Sequence, residues 1–133
     1  MGSEIRVAIG SAIDIVTARQ QGRALGLKLG FEGGDVTLIA AAISEVARNI
    51  VDHAKGGEIV LDSAQQGGRH GILIIARDNG PGIPDVAQAM QYGFSTRRGL
   101  GVGLPGAKWL MDEFDIVSKV GKGTTITMKK WLR

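Results

Sequence analysis

The sequence predicts an α/β chain, folded as an α+β sandwich, and three observations predict it. Apolar residues alternate at Ile5, Val7 and Ile9, the period of a half-buried strand. Two longer segments then carry apolar residues at helical spacing. The remainder returns to short apolar runs punctuated by glycine and closes in a hairpin. With 133 residues, positions 1–133 are most simply one domain, long enough to bury roughly two thirds of the surface that the unfolded chain exposes.

Ser11 and Asp14 have capping-box spacing and open the first helix, whose apolar line is Ile15, Ala18, Gly22, Leu25 and Leu29 and which Gly30 closes. After Gly33 and Gly34 a second helix spans about residues 35–54, with Ile39, Ile43, Val46 and Ile50 facing the core. Glu45, Asn49 and Asp52 follow one another by four and three residues, so they line another face, roughly 120° round from the apolar stripe. Such a polar face is ordinarily solvated. Residues 58–62 and 71–76 read as neighbouring strands joined by the polar loop 63–68. Residues 84–92 carry a short helical pattern, 93–98 a loop, and a further helix starts near Gly103 with Leu104, Ala107, Met111 and Phe114 turned to the sheet. Pro105 is tolerated in its first turn. Residues 114–120 and 124–131 form the closing hairpin around Gly121-Lys122-Gly123.

Composition narrows the function. There is no cysteine, which excludes disulfides and thiolate metal sites and suits a reducing cytoplasm, and two histidines are too few to suggest a zinc site. The first residues lack a basic segment followed by an apolar one, and no run is long enough to span a bilayer, so a soluble, cytoplasmic protein without membrane association is expected. A net charge of +3 comes from scattered Lys and Arg with only 5% aromatics, which gives nucleic-acid binding little support and suits a phosphate ligand or an acidic partner. Glycine is high at 21 residues, and much of it clusters in turns and in one run from Gly99 to Gly106.

Two stretches carry candidate chemistry. The apolar run 71–77 ends at Asp78, followed by Asn79-Gly80-Pro81-Gly82-Ile83. This delivers a carboxylate from a buried strand into a turn whose glycines let backbone approach a ligand. An ionised carboxylate only accepts hydrogen bonds, so Asp78 suits an exocyclic amine such as that of adenine; the same residues also describe an ordinary Asp-Gly turn. The second stretch, Gly99-Leu100-Gly101-Val102-Gly103, opens the helix at Leu104, where free N–H groups and the helix dipole favour phosphate. A dinucleotide fingerprint would follow the first strand, and this run lies late in the chain.

Glu45-Val46-Ala47-Arg48-Asn49, the Asp78 turn and the glycine run, in that order, resemble the ATP-binding boxes of the GHKL superfamily of gyrase-type ATPases, histidine kinases and small serine kinases. The resemblance implies a mixed, mainly antiparallel sheet with helices on one face and ATP held between helices and a lid. It implies that Asp78, Gly80, Gly82 and Ile83 surround adenine, that Asn49 binds Mg²⁺, and that Glu45 is the catalytic base. It further implies that Gly99, Leu100, Gly101, Val102, Gly103 and Leu104 hold phosphates. Thr124, in a Gly-x-Gly-Thr position, would hydrogen-bond near Asp78, although threonine is also an ordinary strand residue. Residues 93–98 correspond to the lid, where Arg97 or Arg98 would neutralise charge on the transferred group or simply be solvated.

The sequence shows no phosphoacceptor-histidine helix pair, sensor or transducer region, which sets aside a complete histidine kinase; Ser44 to Asn49, Gly93 to Thr96, Gly99 to Gly106 and Lys130 to Arg133 resemble the stand-alone serine/threonine kinases of bacterial partner-switching systems. For these the substrate is a hydroxyl on a small STAS-domain antagonist protein, alone or in a multi-protein stress-sensing complex. A downstream regulatory partner, often a phosphatase, is then bound. Two alternatives stand beside this: an anti-sigma factor with kinase activity, and an ATP-dependent binding module in which Glu45 is idle. On the kinase reading, removing Asn49 should lower nucleotide binding and turnover together, and removing Glu45 should lower turnover alone.

Overall fold

The computed structural model describes residues 4–83, 86–90 and 103–133. In chain order it contains β1 (Ile5–Ile9), α1 (Ala12–Leu29), α2 (Gly33–His53), β2 (Gly57–Gln66), β3 (Arg69–Asp78), α3 (Val86–Ala89), α4 (Gly103–Leu110), β4 (Glu113–Lys119) and β5 (Gly123–Trp131). The strands form one sheet in the order β1-β2-β3-β5-β4. The expected mainly antiparallel sheet is antiparallel at each described pairing. β3 therefore lies at the centre, flanked by β2 and β5, and Asp78 is its last residue.

Strand alternation sends one set of side chains to the helices. Ile59 and Leu61 of β2 stand opposite Ala76 and Ile74 of β3, which stand opposite Ile126 and Met128 of β5; all six are buried. Ile39, Ile43, Val46 and Ile50 of α2 meet them with 1% exposure or less, as the helical spacing requires. Each fully buried aliphatic side chain stabilises the fold by about 1.5–3 kcal/mol relative to leaving it in water. α1 packs along α2 where Gly22 is buried: a Cβ added there would run into the Ile43 side chain, so glycine sets the distance between the helices. At the start of α1, Gly10 and Ser11 donate their N–H groups to Asp14 Oδ2 at 2.8 and 3.0 Å, and Gly30 closes the helix in the left-handed region at φ 107°.

The structure differs from expectation in two elements. The 63–68 loop is a two-residue turn at Gly67 and Gly68, with φ values of 57° and 81°, and the ladder runs out to Gln66 opposite Arg69. Successive left-handed glycines match the twist of a tight hairpin, so polar residues that read as loop extend the strands. Phe114, expected both at the end of the helix and at the start of the hairpin, belongs to β4 alone, since the helix ends at Leu110; it pairs with Met128 and packs against the core from the sheet. The helical pattern at 84–92 survives as Val86–Ala89, its other residues lying partly outside the described ones. Among the described residues no helix is long and apolar enough to cross a membrane.

Candidate active site

The Asp78 turn is held from three sides. Asp78 Oδ1 accepts the Gly80 N–H at 2.8 Å, and its second oxygen can accept further hydrogen bonds. Gly80 passes so close to the end of α2 that an added Cβ would lie 2.7 Å from the Ala54 Cβ. On the other side, Pro81 accepts the Gly121 N–H through its carbonyl oxygen at 2.8 Å, and Ile83 donates its N–H to Ser118 Oγ at 2.7 Å. The turn between β4 and β5 thus carries the loop that follows β3.

Pairing of β3 with β5 places Thr124 directly opposite Asp78, and pairing of β4 with β5 places Ser118 opposite Thr124. The Ser118 and Thr124 hydroxyls lie 2.7 Å apart, and Thr124 is buried. Ser118 escapes sequence reasoning. Its signal is a hydroxyl at the third inward position after Phe114 and Ile116, where the alternation calls for an apolar side chain.

The second half of the site joins α2 to α4. Glu45 Oε1 accepts the N–H of Gly103, the first residue of α4, at 3.1 Å. Its Oε2 accepts from Arg48 Nη1, three residues along the same helix, at 3.2 Å. The carboxylate is only 12% exposed, so both partners matter. Asn49 and Asp52 follow along α2 and are half-buried. Leu104, Pro105, Gly106 and Ala107 of α4 are buried and keep that helix against the body of the protein.

A cleft of about 600 Å³ opens between residues 52–56 at the end of α2 and residues 79–81. Its size suits a nucleotide. Asp78 itself lines a smaller cleft of about 260 Å³, shared with Gly57, Glu58 and Arg77. Among the described residues no group of three or more His, Cys, Asp and Glu side chains could hold a metal ion. What α2 offers is a row of oxygen donors, Glu45, Asn49 and Asp52, the type that Mg²⁺ takes when phosphates and water complete its shell.

Residues 34–133 match the family of histidine kinase-, DNA gyrase B- and HSP90-like ATPases. The chain belongs to this ATPase family. It is 50% identical over 133 residues to the serine/threonine-protein kinase RsbT of Bacillus subtilis (strain 168), covering 100% of both chains. It is 34% identical over 104 residues to the anti-sigma F factor of Thermoanaerobacter sp. (strain X514), covering 74% of this chain and 71% of that one. Among solved structures, the RsbU and RsbW domains of a Mycobacterium tuberculosis protein superpose with a TM-score of 0.63 at 26% identity; the match takes in 98% of this chain and 33% of that one.

Within this ATPase family the chain is similar to RsbT along its whole length, and the family resemblance read from its sequence boxes stands. The structure brings Asp78, Gly80, Gly82, Ile83 and Thr124 into one connected turn, with Ser118 as its missing member. It brings Glu45 to Gly103 and sets Asn49 one turn further along α2. Leu104 is buried in the core, so any contact that it makes with phosphate is through its backbone. Gly99, Leu100, Gly101 and Val102, and with them Arg97 and Arg98, lie outside the described residues.

Proposed function

We propose that this chain is an ATP-dependent serine/threonine protein kinase of a cytoplasmic partner-switching pathway, acting on a hydroxyl of a small STAS-domain antagonist protein. The observation that carries the reading is the α2–α4 junction, where a largely buried carboxylate, Glu45, meets the N-terminus of the helix that follows the glycine run. Full-length similarity to a kinase supports it. Asp78 and Thr124 suit the adenine end, and the Gly103 N–H with the dipole of α4 suits the phosphates. Asn49 would hold Mg²⁺, which supplies charge neutralisation at the phosphates when bound.

Phosphoryl transfer asks mainly for positioning and charge neutralisation. The substrate oxygen bonds to the γ-phosphorus as the bond from that phosphorus to the β,γ-bridging oxygen breaks, and ADP leaves with the electron pair. The hydroxyl proton passes to Glu45. Arg97 or Arg98, in the segment before the glycine run, would neutralise charge on the transferred group.

The phosphorylated product should leave, because added charge disrupts a packed interface, and the freed kinase would then bind a downstream regulator such as a phosphatase. A second reading, an anti-sigma factor with kinase activity, is favoured by the 34% identity to an anti-sigma F factor. Affinities for a STAS-domain protein, its phosphoserine form and a sigma factor separate the two. Tight binding to the unmodified STAS protein and weak binding to its phosphoserine form supports the switch kinase. Equal affinities for the two forms, or stable binding to the sigma factor alone, contradicts it.

A further inference from the structure

Both oxygens of Glu45 are engaged, and their partners differ in kind. Arg48 sits on the same helix and moves with Glu45, whereas the Gly103 N–H belongs to α4. A phosphate at the start of α4 would draw on that same N–H, because the first N–H groups of a helix have no partner within it and the dipole favours an anion there. The anion held there is the protein's own carboxylate, on a side chain only 12% exposed.

We propose that Glu45 is a phosphate-released latch: the nucleotide phosphates compete with Glu45 Oε1 for the Gly103 N–H, and their binding frees that oxygen to accept a proton. Arg48 is the positioning residue, keeping Oε2 so that the released carboxylate stays at the site rather than swinging into water. The proposal rests on reading the chain as an ATP-using kinase with Glu45 as base. It adds a gate, since without phosphates that oxygen is tied to α4 by the Gly103 hydrogen bond. An ordinary structural cap would behave oppositely, because its loss loosens the helix terminus and weakens whatever binds there.

Calorimetric binding of ADP and of a non-hydrolysable ATP analogue tests it. Glu45→Ala should bind both nucleotides more tightly than wild type, by roughly two- to fivefold, the range expected for removing one competing anion from a helix N-terminus. Glu45→Gln, equal in size but neutral, should tighten binding by less and guards against loss of the fold. Arg48→Met should weaken binding in the wild-type background, where it leaves the Glu45 charge unopposed, and have no effect when added to Glu45→Ala. Unchanged or weaker binding in both Glu45 variants overturns the latch. An Arg48→Met effect of equal size in both backgrounds overturns the positioning role. Turnover separates this from the function proposed above: tighter binding with turnover intact removes Glu45 as base and leaves the competition standing, and lost turnover without tighter binding leaves the base and overturns the latch.

Discussion

Asp78 spends one carboxylate oxygen on the Gly80 N–H, and on the function proposed above the other would accept from the adenine amine, so its two oxygens would have separate tasks. Asp78→Asn should preserve the turn, because the amide oxygen can still accept from Gly80, while presenting N–H groups to an adenine amine. ATP affinity should fall by tenfold or more, about the cost of leaving a buried polar group unpaired; calorimetric affinity within about threefold of wild type would exclude the adenine assignment. Ser118→Ala removes the acceptor for the Ile83 N–H and the partner of the Thr124 hydroxyl. It should cost about 1–2 kcal/mol in chemical denaturation and also weaken ATP binding, and an unchanged affinity would show that the hydroxyl pair serves the fold alone. Asp78 and Thr124 are legible in the sequence because each sits in a glycine-marked motif. The contacts of Glu45 with Gly103 and of Ser118 with Ile83 join residues far apart in the chain, and no local pattern announces them. On the latch proposed above, removing Glu45 should change nucleotide affinity as well as turnover.

The strand and helix order follows from apolar spacing and glycine punctuation, and the structure departs from it where polar residues extend strands and where helical spacing overruns the end of α4 at Leu110. Gln65 and Gln66 pair with His70 and Arg69 beyond the core, where the ladder needs only backbone and solvent tolerates any polar side chain. The C-terminal strand is anchored by Asp112, in the link between α4 and β4. Its Oδ2 accepts the Trp131 N–H at 2.8 Å and its Oδ1 pairs with Arg133 Nη2 at 2.7 Å. Burial works against the Asp112 carboxylate, but the Trp131 N–H, Arg133 and the nearby charge of Lys130 outweigh it and hold the carboxyl below its usual range. A folded-state value below the unfolded one stabilises the fold above the unfolded value, and that stability is lost as pH falls through the folded value. Because Asp112 lies at the surface, solvent screens its charge, so Asp112→Asn should lower stability by no more than about 1 kcal/mol near neutral pH, with the difference from wild type vanishing under acid conditions. A difference of equal size throughout denaturation curves from neutral to acid pH would assign the effect to packing rather than charge.

At the scale of the molecule, the inward face of the sheet meets α2 and α1 through one continuous core, and the candidate site runs along α2, from the Glu45 contact with the start of α4 to the turn after β3 beside Ala54. Ile43→Ala should destabilise the protein by about 2–5 kcal/mol, since Ile43 is fully buried between α1 and the rest of α2's core face. ATP affinity of the fraction that remains folded should change little, in contrast to Asp78→Asn. On the function proposed above, adenine recognition would sit on the end of a central strand and the base on a core helix, each a rigid support. A kinase built this way should move label from the γ-phosphate of ATP to a STAS-domain protein, and this transfer is the direct measurement. Wild-type protein should label a serine or threonine of the STAS partner, with Asp78→Asn and Glu45→Gln each greatly reduced. Wild-type protein that binds ATP and the STAS partner yet transfers no label, or a Glu45→Gln variant that transfers it at the wild-type rate, would contradict a kinase with Glu45 as its base.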